Sequence, residues 1–401
     1  MGALLLHKDR IPPHSKWYKQ KNFSFRTNHC FNSVVSPPDL SLRENDGVEQ
    51  TINPSELTFN MKHGEHGLMT FGGDLQNATY KTHSEAGGIK TVGSDVRAYS
   101  TGLFLQEKYV VGKWVFRAGG RRNNTHHTYE LLSGLAPEKT ASSWKKNLWS
   151  VGTRYNYRPK IAFYGNMGTS FVTPTAKQLS GTIKSSDAGV AGINGQLPNF
   201  QLMPETGIGS DLGADLRLTE TLSLNIRGFL NQVKDAIVEN IVSVQPSQTR
   251  SVNAGKGISR GCEIDVEDKV NEKLSWFGNW TYTATRVENS LDQDQNDIEI
   301  SFVPKYVANL GLTLKCPKKV MVSPYFQFIG EYFDSISKKN RIRFQPYQVL
   351  NLKLQKKFLD TADHSVSGII DLNNITNKKY EMPWQFGNPG FNFFGSLEMM
   401  F

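Results

Sequence analysis

Residues able to do chemistry are few in this chain, and they lie far apart. The stretch Asp292-Gln293-Asp294-Gln295-Asn296-Asp297-Ile298-Glu299 alternates hard oxygen donors as a calcium loop begins. Such a loop needs glycine at its sixth position and glutamate at its twelfth; Asp297 and Val303 stand there, so a solvated acidic loop is expected. His126-His127 and the pair His63 and His66 bring imidazoles together, the chemistry of metal or haem capture. The pairs fall in connections at opposite ends of the strands, where they cannot share a ligand, and they read as surface histidines. Cys30, Cys262 and Cys316 are odd in number and widely separated, without disulfide or metal-ligand spacing. Nucleophile elbows, phosphate loops and paired His-carboxylate motifs are absent, so no enzyme, no catalytic residue, no metal site and no cofactor is expected. Trp384 and Phe386 stand apart: two aromatics in a long polar connection, placed to stack on a ligand.

Those residues need elements to position them, and composition bounds what the elements are. The 401 residues suffice for two or three soluble domains or one large barrel. Mean hydropathy is −0.44, and no apolar run reaches the ~18 residues of a membrane helix. A membrane β-barrel passes that test, because only alternate residues meet lipid. The net charge of +9 is dispersed rather than clustered, which excludes a nucleic-acid footprint and suits polar loops or a polar lumen. The stretch from Met1 to Lys8 is too briefly apolar for a signal peptide.

From Glu56 onward the chain alternates with period two. The alternation predicts strands at 56–62, 67–80, 95–109, 114–121, 144–157, 161–171, 206–217, 222–234, 257–267, 274–286, 303–315, 320–332, 348–357, 364–374 and 391–401. Leu350, Leu352 and Leu354 alternate with Asn351, Lys353 and Gln355; Leu274, Trp276, Gly278, Trp280 and Tyr282 share one face. Residues 1–54 read as an irregular lead-in with one strand near Phe23 to Cys30, and 55–401 as the barrel. Short turns at 63–66, 110–113, 158–160, 218–221, 268–273, 316–319 and 358–363 alternate with long connections at 81–94, 122–143, 172–205, 235–256, 287–302, 333–347 and 375–390. Short turns on one side and long loops on the other is the asymmetry of an outer-membrane barrel. The last strand ends on an apolar face: Phe391, Phe393, Gly395, Leu397, Met399 and Phe401 share it, as expected of a strand that closes a barrel and signals its assembly. A soluble propeller or sandwich explains the alternation but not the strand length or the loop asymmetry.

Several stretches resemble the barrel of TonB-dependent outer-membrane receptors. Tyr164-Gly165-Asn166-Met167-Gly168-Thr169-Ser170-Phe171-Val172-Thr173-Pro174-Thr175, followed by Leu179, is similar to the family's Y-x-x-x-G-x-x-F-R-A-P-T segment, with Val172-Thr173 replacing Arg-Ala. Asn199 to Glu205 resembles N-P-x-L-x-P-E, with Asp211-Leu212-Gly213 at the usual E-L-G. Asn253-Ala254-Gly255 through Gly261-Cys262-Glu263 resembles the family's N-x-G followed by G-x-E, and Val303-Pro304-Lys305 with Asn309-Leu310-Gly311 resembles the next motif. Asp371 to Tyr380 resembles V-x-N-L-F-D-K-x-Y, ahead of Pro389-Gly390 and the last strand.

The resemblance implies an all-β, transmembrane antiparallel barrel in the outer membrane of a Gram-negative bacterium. The count of about 15–16 strands, set against the family's 22, implies an incomplete barrel. The family's plug domain is not recognised, so the chain is expected to be the C-terminal portion of a receptor for a scarce nutrient such as a ferric siderophore. Implied partners are outer-membrane lipid and lipopolysaccharide, the barrel-assembly machinery, the nutrient ligand, and the TonB complex acting only through a plug. A passive porin-like channel is the alternative.

Overall fold

The computed structural model describes residues 18–23, 27–35, 44–86, 89–131, 141–181, 195–244, 248–334, 337–339, 341–361, 364–382 and 386–400. Its framework is an antiparallel sheet. β1 (Tyr18–Phe23) and β2 (Thr27–Val35) lie end to end along β3 (Glu44–His63). Then follow β4 (Gly67–Ala86), β5 (Ile89–Val111), β6 (Trp114–Leu131), β7 (Ala141–Arg158) and β8 (Ile161–Val172). A short helix α1 (Ala176–Ser180) and the small β9 (Gly195–Leu197) interrupt the wall. It resumes with β10 (Glu205–Arg217), β11 (Leu222–Ser243), β12 (Gln248–Asp268), β13 (Leu274–Asn289), β14 (Tyr306–Cys316) and β15 (Val320–Ile329). Two short strands, β16 (Tyr332–Phe333) and β17 (Arg343–Phe344), make a separate hairpin before β18 (Tyr347–Asp360) and β19 (Ser365–Asn373). A second small hairpin, β20 (Glu381–Met382) with β21 (Phe386–Gly387), precedes the last strand β22 (Asn392–Met400).

Among the described residues eighteen strands share the main sheet. Because β1 and β2 occupy one lane and β9 only touches the tip of β12, the wall is sixteen strands wide. Among the described residues its edges are β1 with β2 at one end and β22 at the other; β22 pairs only with β19. No described helix is long and apolar enough to cross a membrane.

Alternation separates the faces. Leu103, Leu105, Phe116, Trp149, Leu212, Leu310, Ile370 and Leu397 stand exposed on one, the surface expected to meet lipid. The register puts polar pairs on the other: Arg121 with Asp74, Arg227 with Glu263, Arg154 with Asp215, and Asn309 with Asn279. Gly102 makes room for the first, since a Cβ there would collide with Arg121 Nη2 and Asp74 Oδ2.

Strand length departs from the sequence reading. The connections 81–94, 122–143 and 235–256 are mostly strand, because β4 to β7, β11 and β12 run 18–23 residues. Beyond the apolar band water wets both faces, so the ladder continues while its hydrophobic signature ends. The short turns keep their expected places; Gly112, with φ +55°, supplies the left-handed residue between β5 and β6.

Candidate functional site

The long-loop end of the inward face carries an aromatic and apolar platform. Tyr80 of β4, Val96 of β5, His127 and Tyr129 of β6 and Trp144 of β7 line the wall there. The segment between β8 and β10 folds back onto it with Leu179, Phe200 and Leu202; Leu179 is fully buried, Val96 and Leu202 nearly so. Tyr129 and Phe200 rings lie 5.0 Å apart, and His127 meets the Trp144 indole edge-on at 5.0 Å.

Local chemistry fixes this fold-back. The Thr175 hydroxyl accepts from the Gln178 amide at 3.3 Å, while Gln178 Oε1 accepts from the Thr175 amide at 2.8 Å: a capping box that starts α1. Gly181 ends it at φ +78°, where any Cβ would run into the Gln196 carbonyl. On one side Trp144 Nε1 donates to the Leu202 carbonyl at 3.2 Å and Ser142 Oγ to that of Phe200 at 3.3 Å. On the other, Gln196 Nε2 donates to Ser251 Oγ at 2.6 Å and Asn199 Nδ2 to the Ser251 carbonyl at 2.8 Å. Asn253 imitates a strand: its amide nitrogen donates to the Met203 carbonyl and its oxygen accepts from the Met203 amide, both at 2.8 Å. Glu205 then accepts from the Ile237 amide at 2.7 Å. The two stretches read as separate motifs, Asn199–Glu205 and Asn253–Gly255, thus form one joint.

Burial sets the electrostatics. His127 is pushed down to about 4, chiefly by desolvation and then by the neighbouring His126, and its Nδ1 has no hydrogen-bond partner among the described residues. Burial pushes the Tyr129 phenol up to about 12. The core of the platform is therefore neutral at ordinary pH. A cleft of 320 Å³ opens beside it, between Ser142, Ser143 and Trp144 of β7 and Phe200 to Met203. A larger groove of 540 Å³ lies lower, lined in part by the lipid-side residues Tyr109, Phe116, Val151 and Met167, and does not belong to the mouth.

A second aromatic group stands farther round the rim. Tyr347 at the start of β18 stacks on Tyr380 at 4.0 Å, and Tyr332 stacks on Phe344 at 4.9 Å. Burial, then the neighbouring Tyr332 and Tyr380, raises Tyr347 to about 12. Asn374 locks the turn beneath, accepting from the Lys378 amide at 2.9 Å and donating to the Lys378 carbonyl at 2.9 Å. Asn377 Oδ1 accepts from the Phe391 amide at 3.0 Å and so ties this turn to β22.

The residues singled out in the sequence fall as follows. Phe386 lies in β21, and Trp384 is outside the described residues. Phe393, Gly395, Leu397 and Met399 oppose Leu372, Ile370, Gly368 and Val366 of β19, on the lipid-side face; Phe391 is exposed just before β22, and Phe401 is outside the described residues. His126 and His127 lie in β6, not in a loop, and point to opposite faces; His126 Nδ1 meets Ser143 Oγ at 2.6 Å. His63 meets Glu107 at 2.9 Å at the other end. The acidic stretch is held by cations: Asp294 to Lys339 at 2.5 Å, Asp297 to Arg286 at 2.9 Å, Glu299 to Arg341 at 2.7 Å. Sequence reasoning took His127 for a surface histidine and missed Tyr129. Their signal was present as Asn123, Thr125, His127 and Tyr129 on alternate positions, buried one after another.

Comparison with known proteins agrees with this geometry. An uncharacterized TonB-dependent receptor of Haemophilus influenzae is 29% identical over 267 residues, covering 64% of this chain and 69% of that protein. The ferrioxamine receptor of Yersinia enterocolitica is 19% identical over 299 residues, 73% of this chain and 38% of the receptor. The solved copper transporter OprC superposes with a TM-score of 0.70 at 14% identity, covering 90% of this chain and 57% of that one. The chain thus spans little more than half of that structure and under half of the ferrioxamine receptor. The model of the family described as TonB dependent receptor-like, beta-barrel, matches residues 12–375, and with the loop asymmetry, the polar inner wall and the folded-back segment between β8 and β10 it leads to one conclusion: the chain belongs to the TonB-dependent receptor β-barrel family.

Proposed function

We propose that this chain forms the outer-membrane wall and external mouth of a receptor that takes up a ferric siderophore or a similar scarce chelate. Receptors of this family are outer-membrane β-barrels of Gram-negative bacteria that work with TonB, and relatives are named for ferrioxamine and for ferric pyoverdine. The observation that carries the reading is the mouth itself: aromatic platforms above a wall whose polar inner face is bridged from strand to strand. The family match favours a receptor over a passive porin.

The inner wall refines how an anionic chelate would be drawn in. Arg121, Arg154 and Arg227 are each neutralised by a carboxylate, so the wall offers little net positive field, and attraction falls to the loops. Trp384 and Phe386 are proposed as loop contacts to the ligand. TonB would act through a plug domain, barrel assembly would read the β22 face that ends at Phe401, and lipid would surround the apolar band.

The test is binding and uptake in siderophore-receptor-deficient Gram-negative cells expressing the chain with a plug domain supplied. Saturable quenching of tryptophan fluorescence by a ferric hydroxamate or catecholate, with TonB-dependent accumulation of labelled iron, is expected. A stable, TonB-independent conductance in planar bilayers without ligand binding would establish the porin instead.

A further inference from the structure

The outward face carries a group of side chains that nutrient uptake does not use. The register of β6 and β7 sets Arg122 opposite Asn147 and Asn124 opposite Lys145. Alternation turns all four outward, because Gly120 and Trp149, the next pair down, lie on the lipid side, as does Leu103 opposite Arg122. The two cations therefore occupy one diagonal of a two-strand rectangle and the two carboxamides the other, with cross-strand diagonals of roughly 7–8 Å.

Three observations give this rectangle a ligand. First, its height: on β6 the apolar outward run from Trp114 to Gly120, with Trp149 opposite Gly120 on β7, ends directly beneath it, and Leu103 on β5 lies level with Arg122. From Val111 to Leu103 along a strand tilted by ~40° the band rises roughly 20 Å, close to the height of a barrel's lipid belt. The rectangle thus sits at the outer headgroup level, with the exposed Trp149 ring at the boundary. Second, its charge is uncompensated. Among the described residues none of the four side chains holds an ion pair or hydrogen bond, whereas inward-facing Arg121, next in sequence, is bound to Asp74. Glu107, an outward carboxylate, lies roughly 13 Å down β5 from Leu103. Third, the donor set matches a phosphoryl group: a planar guanidinium fork, an ammonium and two neutral amides share one rectangle, and no described acidic side chain lies within it.

We infer that Arg122, Asn124, Lys145 and Asn147 form a site for the phosphate of an outer-leaflet phosphorylated lipid, whose acyl chains lie over Leu103 and Trp149. The occupant is a lipid rather than free phosphate because the apolar floor continues without a break from the donors into the lipid belt. The assignment rests on the membrane-spanning wall and not on the cargo; a barrel that carried no siderophore would still show it.

The test uses the full chain refolded in neutral detergent micelles and titrated with bisphosphorylated lipid A. The double variant Arg122→Ala/Lys145→Ala should weaken binding by about 10- to 30-fold, as loss of two headgroup-level cations implies. The charge-conserving Arg122→Lys/Lys145→Arg keeps one guanidinium and one ammonium on the same diagonal and should stay within about threefold of the parent, which guards against loss through misfolding, and Lys318→Ala at the opposite rim should change nothing. Inorganic phosphate at the same phosphate concentration should fail to displace the lipid. Equal binding by the double-alanine variant, equal weakening by Lys318→Ala, loss in the charge-conserving variant, or displacement by inorganic phosphate would each overturn the assignment.

Discussion

His127 is the residue whose position says most about the mouth. It follows an outward-facing histidine, yet its own ring is buried against Tyr129 and Trp144. An imidazole free in the unfolded chain protonates near 6.5, while here burial holds it down to about 4. The neutral form is thus the one the fold prefers. Its contribution is complete above about 6.5 and lost as pH falls toward 4, because the unfolded segment then binds the extra proton. Protection of the amides in residues 195–204, corrected for intrinsic exchange at each pH, should fall between pH 6.5 and 4.5 in the parent, and His127→Gln should flatten that dependence. An unchanged pH profile in the variant would assign the effect to another group.

Elements explain how the mouth is held. The joint between the β8–β10 segment and β12 adds side-chain amides to the short parallel pairing of β9, and Asn253 carries two of its bonds, both to Met203, with a third to the Asp235 carbonyl of β11 at 2.8 Å. Asn253→Ala removes them while leaving the strands paired. Limited proteolysis should then cleave within 195–204 at least about tenfold faster, as loss of ~1 kcal/mol per bond predicts, with the heat-modifiable gel mobility of the barrel unchanged. Ligand affinity should fall along with it.

Elements were also where the sequence was only partly readable. The strands of the wall stood out because alternate apolar residues persist wherever one face meets lipid, as Leu350, Leu352 and Leu354 do. The upper halves of β4, β5, β11 and β12 did not, since Thr79, Lys81 and Arg97 face water there and carry no hydrophobic period. The turn Cys316-Pro317-Lys318-Lys319 was legible from its proline, but not its backbone: Lys318 and Lys319 both adopt positive φ, 60° and 58°, where glycine or asparagine is usual. The platform was least readable, because Trp144 and Leu202 meet only through a fold-back whose end point depends on Ser251 and Asn253, far along the chain.

At the scale of the whole molecule, the two faces of the wall obey opposite rules, and neighbouring residues test this. Leu212 is 72% exposed on the lipid side of β10, whereas Asp211 beside it accepts from Asn166 Nδ2 at 2.9 Å on the inner side. Leu212→Arg should destabilise the inserted barrel by ~2–4 kcal/mol. Asp211→Asn should lose no more than ~1 kcal/mol, because its surroundings are wet. Urea titration of the chain folded into lipid bilayers measures both; similar penalties at the two sites would contradict the assignment of faces.

The order of strands in the wall has a kinetic consequence. From β2 onward, apart from the β8–β10 interruption and the small rim hairpins, each strand pairs with its neighbours in sequence, through β22 on β19. A growing meander therefore never waits for a distant partner. Each added hairpin closes a short loop, and the entropy of that closure is small. However many strands have joined, an intermediate exposes only two lateral edges, so its unpaired backbone stays constant while its paired backbone grows. Insertion built this way becomes steadily more favourable as it proceeds, and the slow step belongs to the earliest hairpins.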